Sequence, residues 1–273
     1  MKNIKTKSGS ANNIWVVVVT IIIYLAALMT SKLLSFFSNS NVFITETVLY
    51  LVLLVVMLVF NKKVVKLTLF VANWHFPFSV WLIWLLDILK TLLMPGILLG
   101  IALGLGGRFG SGIDKGKIVL VLVMLLSIVL FEEITVHGIL LPSLVKVLQQ
   151  HKHCLLVALL INVLVFGFAH LFDPILVPML IPSKSIVVAI FHAIETAASG
   201  LILGAIYLRS KNLVLPVLLQ FILYPIEYFL LGTTHSAELK ILPLILYVLL
   251  CICAAVYLIR RIKPQEWLNS AGA

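Results

Sequence analysis

The feature that most limits this chain is the recurrence of apolar stretches about as long as a bilayer is thick. A helix needs roughly 20 mostly apolar residues to cross the hydrocarbon core, and such stretches follow one another from about Ile14 to Ile259. Within lipid every backbone N–H and C=O must be bonded by the protein itself, which leaves helices or closed barrels. The runs here are continuous rather than alternating, so they read as helices. Composition agrees: 62% of the 273 residues are hydrophobic and 11% charged, against about half and about a quarter in soluble domains. The predicted fold class is all-α, a polytopic transmembrane bundle of about eight spans, forming one membrane domain over residues 1–273.

The spans are expected at about Ile14–Leu34, Val42–Phe60, Val80–Leu105, Ile118–Leu144, Cys154–Leu171, Ile186–Leu208, Leu213–Leu231 and Ile241–Ile259. The third carries Asp87, Lys90 and Pro95, and reads as an interfacial helix leading into a span. Lys62, Lys63, Lys66, Trp74 and His75 lie in the connector before it, a composition suited to the membrane interface. The basic N-terminal start is followed by a long apolar run without a small-x-small cleavage site, so an uncleaved first span is expected instead of a signal peptide.

The formal charge of +10 raises the question of nucleic acid, and the positions of the basic residues answer it. Lys2, Lys5, Lys7, Lys62, Lys63, Lys66, Lys146, Lys152, Arg209, Lys211, Arg260, Arg261 and Lys263 all fall in one alternating set of loops and tails, thirteen residues in all. The opposite set holds six: Lys32, Arg108, Lys115, Lys117, Lys184 and Lys240. This asymmetry is the positive-inside signature, placing both termini in the cytoplasm and requiring an even number of spans. No basic stripe runs along a helix, so nucleic acid is not an expected partner; the lipid bilayer is. Cys154, Cys251 and Cys253 lie in apolar segments at spacings that match neither a zinc site nor a redox pair, and read as packing residues.

Ionisable side chains inside hydrocarbon cost a few kcal/mol each on insertion scales and so point to function, or else pair to hold helices together. Glu132 and Glu133 are adjacent in the middle of the fourth apolar run. At about 100° per residue they project in different directions. His137 lies four residues after Glu133, one turn away on the same face. That arrangement leaves Glu133 held by His137 and Glu132 turned into the bundle as a candidate general base. His170 on the next span is either a core histidine with its bonds satisfied or a partner that holds a water against Glu132.

Gln220 and Tyr224 are four apart on the seventh span. Their amide and phenol groups suit either an oxyanion contact or a polar contact between helices. His192 and Glu195, three apart on the sixth span, read as an ion pair, metal ligands or a proton relay. Together with Asp87 and Lys90 they are also what a transporter or proton channel would use, although no internal repeat is evident. No H-E-x-x-H spacing is present, so zinc is not favoured and no cofactor is expected.

These residues together resemble a known family, the CAAX protease and bacteriocin-processing membrane proteins, also called Abi or type II CAAX prenyl endopeptidase-like. Its E-E-x-x-x-R motif is similar to Glu132-Glu133-Ile134-Thr135-Val136-His137, and its F-x-x-x-H motif to Phe166 through His170. Its third region, two glycines followed by a helix bearing H-x-x-x-N, is similar to Gly200, Gly204 and the stretch from Leu215 to Tyr224. The resemblance covers about Ile118 to Leu230. It implies a membrane endopeptidase acting on a peptide or membrane-protein substrate. Glu132 would be the base, Glu133 its supporting neighbour and His170 the residue orienting the water, with Gln220 and Tyr224 in the oxyanion half. His137, Phe166, His192 and Glu195 would support them. The chain departs from the family pattern at three positions: His137 stands for the arginine, Gln220 for the histidine and Tyr224 for the asparagine. The resemblance therefore also allows a catalytically silent relative, acting in bacteriocin self-immunity or as a scaffold, in a bacterial plasma membrane.

Overall fold

The computed structural model describes residues 7–37, 42–67, 69, 115–180, 186–226, 241–260, 262–264 and 267. Among these there is no strand, and the chain is a series of helices. In chain order they are α1 (Lys7–Phe37), α2 (Val42–Phe60), α3 (Lys115–Glu132), α4 (Leu141–Val147), α5 (Cys154–Leu180), α6 (Ile186–Ser210), α7 (Val214–Ile226) and α8 (Ile241–Ile259). Wider π-helical turns extend α2 over Asn61–Val65 and join α3 to α4 over Glu133–Leu140.

Five segments of the described chain are long and apolar enough to cross a membrane: Asn13–Ser31, Phe43–Val65, Val119–Val147, Cys154–Leu171 and Ile190–Ser210; Leu244–Ile259 is a shorter apolar helix. The protein is a multi-pass membrane protein. Five such segments are compatible with a chain of eight spans. The expected third span, Val80–Leu105, with Asp87 and Lys90, lies outside the described residues, as do the residues after Ile226 in the expected seventh.

Burial separates the spans by role. In the segment containing α2 only 11% of the window is buried, and Val48, Val52, Val55 and Val59 face outward. Apolar side chains turned outward suit lipid rather than water. The continuous segment Val119–Val147, built from α3, the π-helical turn and α4, is 61% buried and forms the centre of the bundle. It touches α1, α2, α5, α6 and α7, so a polar residue in this segment meets protein instead of hydrocarbon.

The widened turn has a local cause. Pro142 sits at the second position of α4; a proline inside a helix has no N–H and its ring collides with the carbonyl four residues earlier. The backbone widens instead, and the Leu141 N–H bonds to the Val136 carbonyl, five residues back. Such widened turns inside helices are frequent at functional sites. This one begins at Glu133, immediately after Glu132.

Two connectors set the height of α7. The Asn61 side chain accepts the Leu67 N–H and donates to the Leu67 carbonyl, closing the turn after α2. The Leu69 carbonyl then accepts the Leu213 N–H at 3.3 Å. Lys211 takes a left-handed conformation (φ 56°) and the Asn212 Oδ1 caps α7 by accepting the Val214 N–H at 2.9 Å. Leu213 presses onto Gly138: a Cβ on that glycine would lie 2.6 Å from the Leu213 Cδ1. The start of α7 is thus at the level of Gly138, six residues past Glu132. Gln220 lies seven residues beyond Leu213, about 10 Å along the helix at 1.5 Å per residue. The two displacements nearly match, and Gln220 arrives at the level of Glu132.

Candidate functional site

Three helices converge on Glu132. From the end of α3 its carboxylate, 2% exposed, meets α7 through Oε2, which accepts a hydrogen bond from the Gln220 Nε2 at 2.9 Å. Its other oxygen, Oε1, faces the His170 Nε2 of α5 at 3.6 Å. Gln220 and His170 are themselves buried. The 2.9 Å contact is a direct hydrogen bond; 3.6 Å is longer than one. The two carboxylate oxygens are therefore not equivalent: one is pinned by the amide and the other is set against imidazole across a short gap.

The tautomer of His170 follows from its second contact. Its Nδ1 lies 2.9 Å from the Phe166 carbonyl of its own helix. A carbonyl only accepts, so Nδ1 carries a hydrogen and, in the neutral ring, Nε2 presents its lone pair to Glu132. The Phe166 ring packs edge-on to His170 at 4.7 Å and closes one side of the imidazole. The exposed His192 ring of α6 also neighbours His170, with its centroid 6.0 Å away.

Glu133 belongs to a separate cluster. Its Oε2 lies 3.0 Å from the His137 Nδ1, the one-turn contact expected from the sequence, and both residues are fully buried. The His137 Nε2 reaches the Gly200 carbonyl of α6 at 3.1 Å. Both ring nitrogens of His137 thus face acceptors. Donation to both requires a doubly protonated ring; otherwise Glu133 carries the proton and donates it to Nδ1. In either arrangement the pair carries no net charge, which suits a buried pair. Glu133 Oε1 has no hydrogen-bond partner among the described residues.

Close packing between α5 and α6 holds the two clusters together. A Cβ on Gly200 would lie 2.6 Å from the Phe166 ring, and one on Gly204 would lie 2.5 Å from Leu159 and 3.1 Å from the His137 ring. Those two glycines, which the third motif region requires, leave room for side chains of the first two. Small residues of this kind let membrane helices approach closely.

Glu132, His170, Phe166 and Gln220 are thus brought together, with His192 at the edge of His170, while Glu133 and His137 form a neighbouring cluster. Glu195 is half-buried on α6, three residues from His192. Tyr224 lies on α7, and its side chain is outside the described residues. Sequence reasoning missed the Gly200 carbonyl as the second acceptor for His137, since a backbone group leaves no sequence signal. It also missed Asn162, fully buried one turn before Phe166, whose amide has no hydrogen-bond partner among the described residues. Among the described residues no three His, Cys, Asp or Glu side chains are grouped as a metal site would group them.

A carboxylate and an imidazole buried between helices define a class, a multi-pass helical membrane protein with a polar site inside its bundle. Residues 114–224 match the family model described as type II CAAX prenyl endopeptidase Rce1-like. This is the family that the motifs resemble, and the matched residues include all three motif regions. No curated protein and no solved structure matches the chain.

Proposed function

We propose that the protein is a membrane-embedded endopeptidase in which Glu132 and His170 activate a water for attack on a peptide bond in or near the membrane. The observation that carries this reading is the unequal use of the Glu132 oxygens, with Oε2 fixed by Gln220 and Oε1 facing the His170 Nε2 at 3.6 Å. A water seated against that gap gives one hydrogen to Oε1 and the other to Nε2. Its own lone pair is then free to attack a carbonyl carbon. Glu132 takes a proton from the water as the new C–O bond forms and returns it to the amine nitrogen as the C–N bond breaks. Proton transfer stays on one carboxylate and requires no metal.

The substrate in this reading is a peptide or a membrane-protein segment, and the setting is the cell membrane, with a bacterial plasma membrane fitting the family resemblance. A direct test uses purified protein in detergent micelles and a set of quenched-fluorescence peptides, including prenylated and unprenylated C-terminal sequences. Wild type should cleave a member of the set, and Glu132→Gln and His170→Ala should each abolish that cleavage. Equal cleavage by all three proteins would refute the mechanism.

A second reading has its own support. The Gln220 amide, at the position where the family places an oxyanion donor, already bonds to Glu132. That contact would also serve a silent relative acting as a bacteriocin self-immunity protein or membrane scaffold, where a Glu–Gln bridge merely joins α3 to α7. Retention of the cellular phenotype by Glu132→Gln, at unchanged abundance, would favour this second reading.

A further inference from the structure

The geometry points to His192 as a further catalytic residue, the hydrogen-bond donor to the oxyanion that forms when the activated water attacks. This assignment rests on the hydrolytic reading above and adds to it the group that completes the site.

The need for such a donor comes from Gln220. One N–H of its amide is spent on Glu132 Oε2 at 2.9 Å. That oxygen is the one turned away from the gap between Oε1 and His170, so Gln220 stands a carboxylate's width behind the attacking water. A charge developing on the substrate, in front of the water, must be met from the other side. Two rings neighbour His170: Phe166, edge-on at 4.7 Å, and His192 at 6.0 Å. Phe166 is 1% exposed whereas His192 is exposed. Of these two neighbours of His170, His192 is the accessible one.

The position of His192 in the span supports the same conclusion. It lies inside the apolar segment Ile190–Ser210. Its place is the first turn of that segment, where an exposed ionisable ring meets interfacial water or a water-accessible cavity. Its placement is also rigid. The next residue, Ala193, has its carbonyl 3.1 Å from where a Cβ on Gly167 would be, and the Ala197 Cβ is 2.7 Å from the same point. Contacts this tight fix α6 against α5 one turn from the two histidines. A donor held on a rigid helix is what oxyanion stabilisation requires.

In the step itself, the water oxygen bonds to the carbonyl carbon, its proton goes to Glu132 Oε1, and the C=O π electrons move onto the carbonyl oxygen. A ring N–H of His192 donates to that oxygen. Collapse of the intermediate restores the C=O, breaks the C–N bond and carries the proton from Glu132 to the leaving amine.

The test uses the best-cleaved peptide of the set and its phosphinate counterpart, a stable mimic of the tetrahedral intermediate, with full-length protein in micelles. His192→Phe and His192→Leu, which lack a donor, should each lower kcat about 100-fold with KM within about twofold. Each should weaken phosphinate binding by a similar factor, while His192→Gln, which keeps a donor, should lose about tenfold or less. A wild-type kcat in either donor-free variant, or equal losses in the Gln and Leu variants, would overturn the assignment. If Glu132→Gln also cleaves normally, or wild type neither cleaves the peptides nor binds the phosphinate, the hydrolytic reading falls and His192 with it. If Glu132→Gln is inactive and the donor-free variants are not, only the His192 assignment falls.

Discussion

Glu132 and Glu133 are consecutive, equally buried and chemically identical, yet they occupy opposite circumstances. Glu132 reaches across the bundle, accepting a hydrogen bond from Gln220 on α7 and facing His170 on α5 at 3.6 Å. Glu133 is bound along its own segment to His137, which passes the contact on to the backbone of α6. The first places one oxygen beside an imidazole lone pair. The second is held through Oε2 by a histidine one turn along its own segment. One residue of helical rotation is enough to divide reactivity from anchorage, because it turns the side chains by about 100° towards different neighbours. The widened turn starting at Glu133 keeps both inside protein: the whole segment Glu133–Leu140 is buried.

The comparison breaks most sharply by amide substitution of each glutamate in turn. General base catalysis contributes about 10²–10⁴-fold, so Glu132→Gln should lower kcat by about 10³-fold in the micelle peptide assay while leaving thermal stability nearly unchanged. Glu133→Gln preserves a hydrogen-bonding group beside His137 and should stay within about tenfold of wild type. Comparable losses from the two substitutions would erase the distinction.

The anchoring side is tested next, through stability. His137→Leu would leave Glu133 buried without its partner; removing one member of a buried pair costs about 3–5 kcal/mol. The expected result is a large fall in unfolding temperature in detergent. His137→Arg restores the residue type of the family motif and provides a permanent charge with several donors, so it should recover most of that loss. If the leucine variant unfolds like wild type, the Glu133–His137 pair is not an anchor.

Much of this contrast was legible in the sequence. Charge is expensive in hydrocarbon, so two glutamates and a histidine within apolar runs had to be placed deliberately, and four-residue spacing already joined Glu133 to His137. The helical fold was legible for the same reason, since continuous apolar runs leave the backbone no other way to satisfy itself. What stayed hidden depends on relative helix height. Gln220 read equally well as an oxyanion donor or an interhelical contact, and only the level at which Leu213 abuts Gly138 brings its amide onto Glu132. The π-helical turn was equally hidden, because Pro142 signals a disturbance without saying whether the helix bends, breaks or widens. The α5–α6 spacing that seats Phe166 over Gly200 is likewise a property of two surfaces together.

That spacing links the two glutamates and provides a smaller effect. Gly200 gives its carbonyl to His137 and leaves space for the Phe166 ring, whose own carbonyl orients His170. Gly200→Ala would put a methyl group 2.6 Å from a ring carbon. Overpacking of this kind typically costs about 1–3 kcal/mol. Because the ring cannot shift without moving α5 relative to α6, activity should fall along with stability. A variant that loses stability while retaining full kcat would show that the seat of Phe166 is independent of the catalytic side.

The smallest effect expected is at Gln220, where the comparison is finest. In Gln220→Leu the Glu132 Oε2 loses the hydrogen bond from the Gln220 amide, and hydrogen bonds to charged groups are worth about 1.5–3 kcal/mol. Part of that cost is relieved by rotation of Glu132 towards His170, so a net loss of about 1 kcal/mol in stability is expected. The same rotation closes the gap that seats the water, and kcat should drop about tenfold with KM little changed. Gln220→His separates pinning from donation: an imidazole N–H can still hold Oε2 but, unlike the amide, carries no second hydrogen on the same nitrogen. If the histidine variant matches wild type while the leucine variant is slow, pinning is the whole role of Gln220. If both are slow by the same factor, the second amide hydrogen matters, and the unequal use of the two Glu132 oxygens is not by itself enough to set up the base.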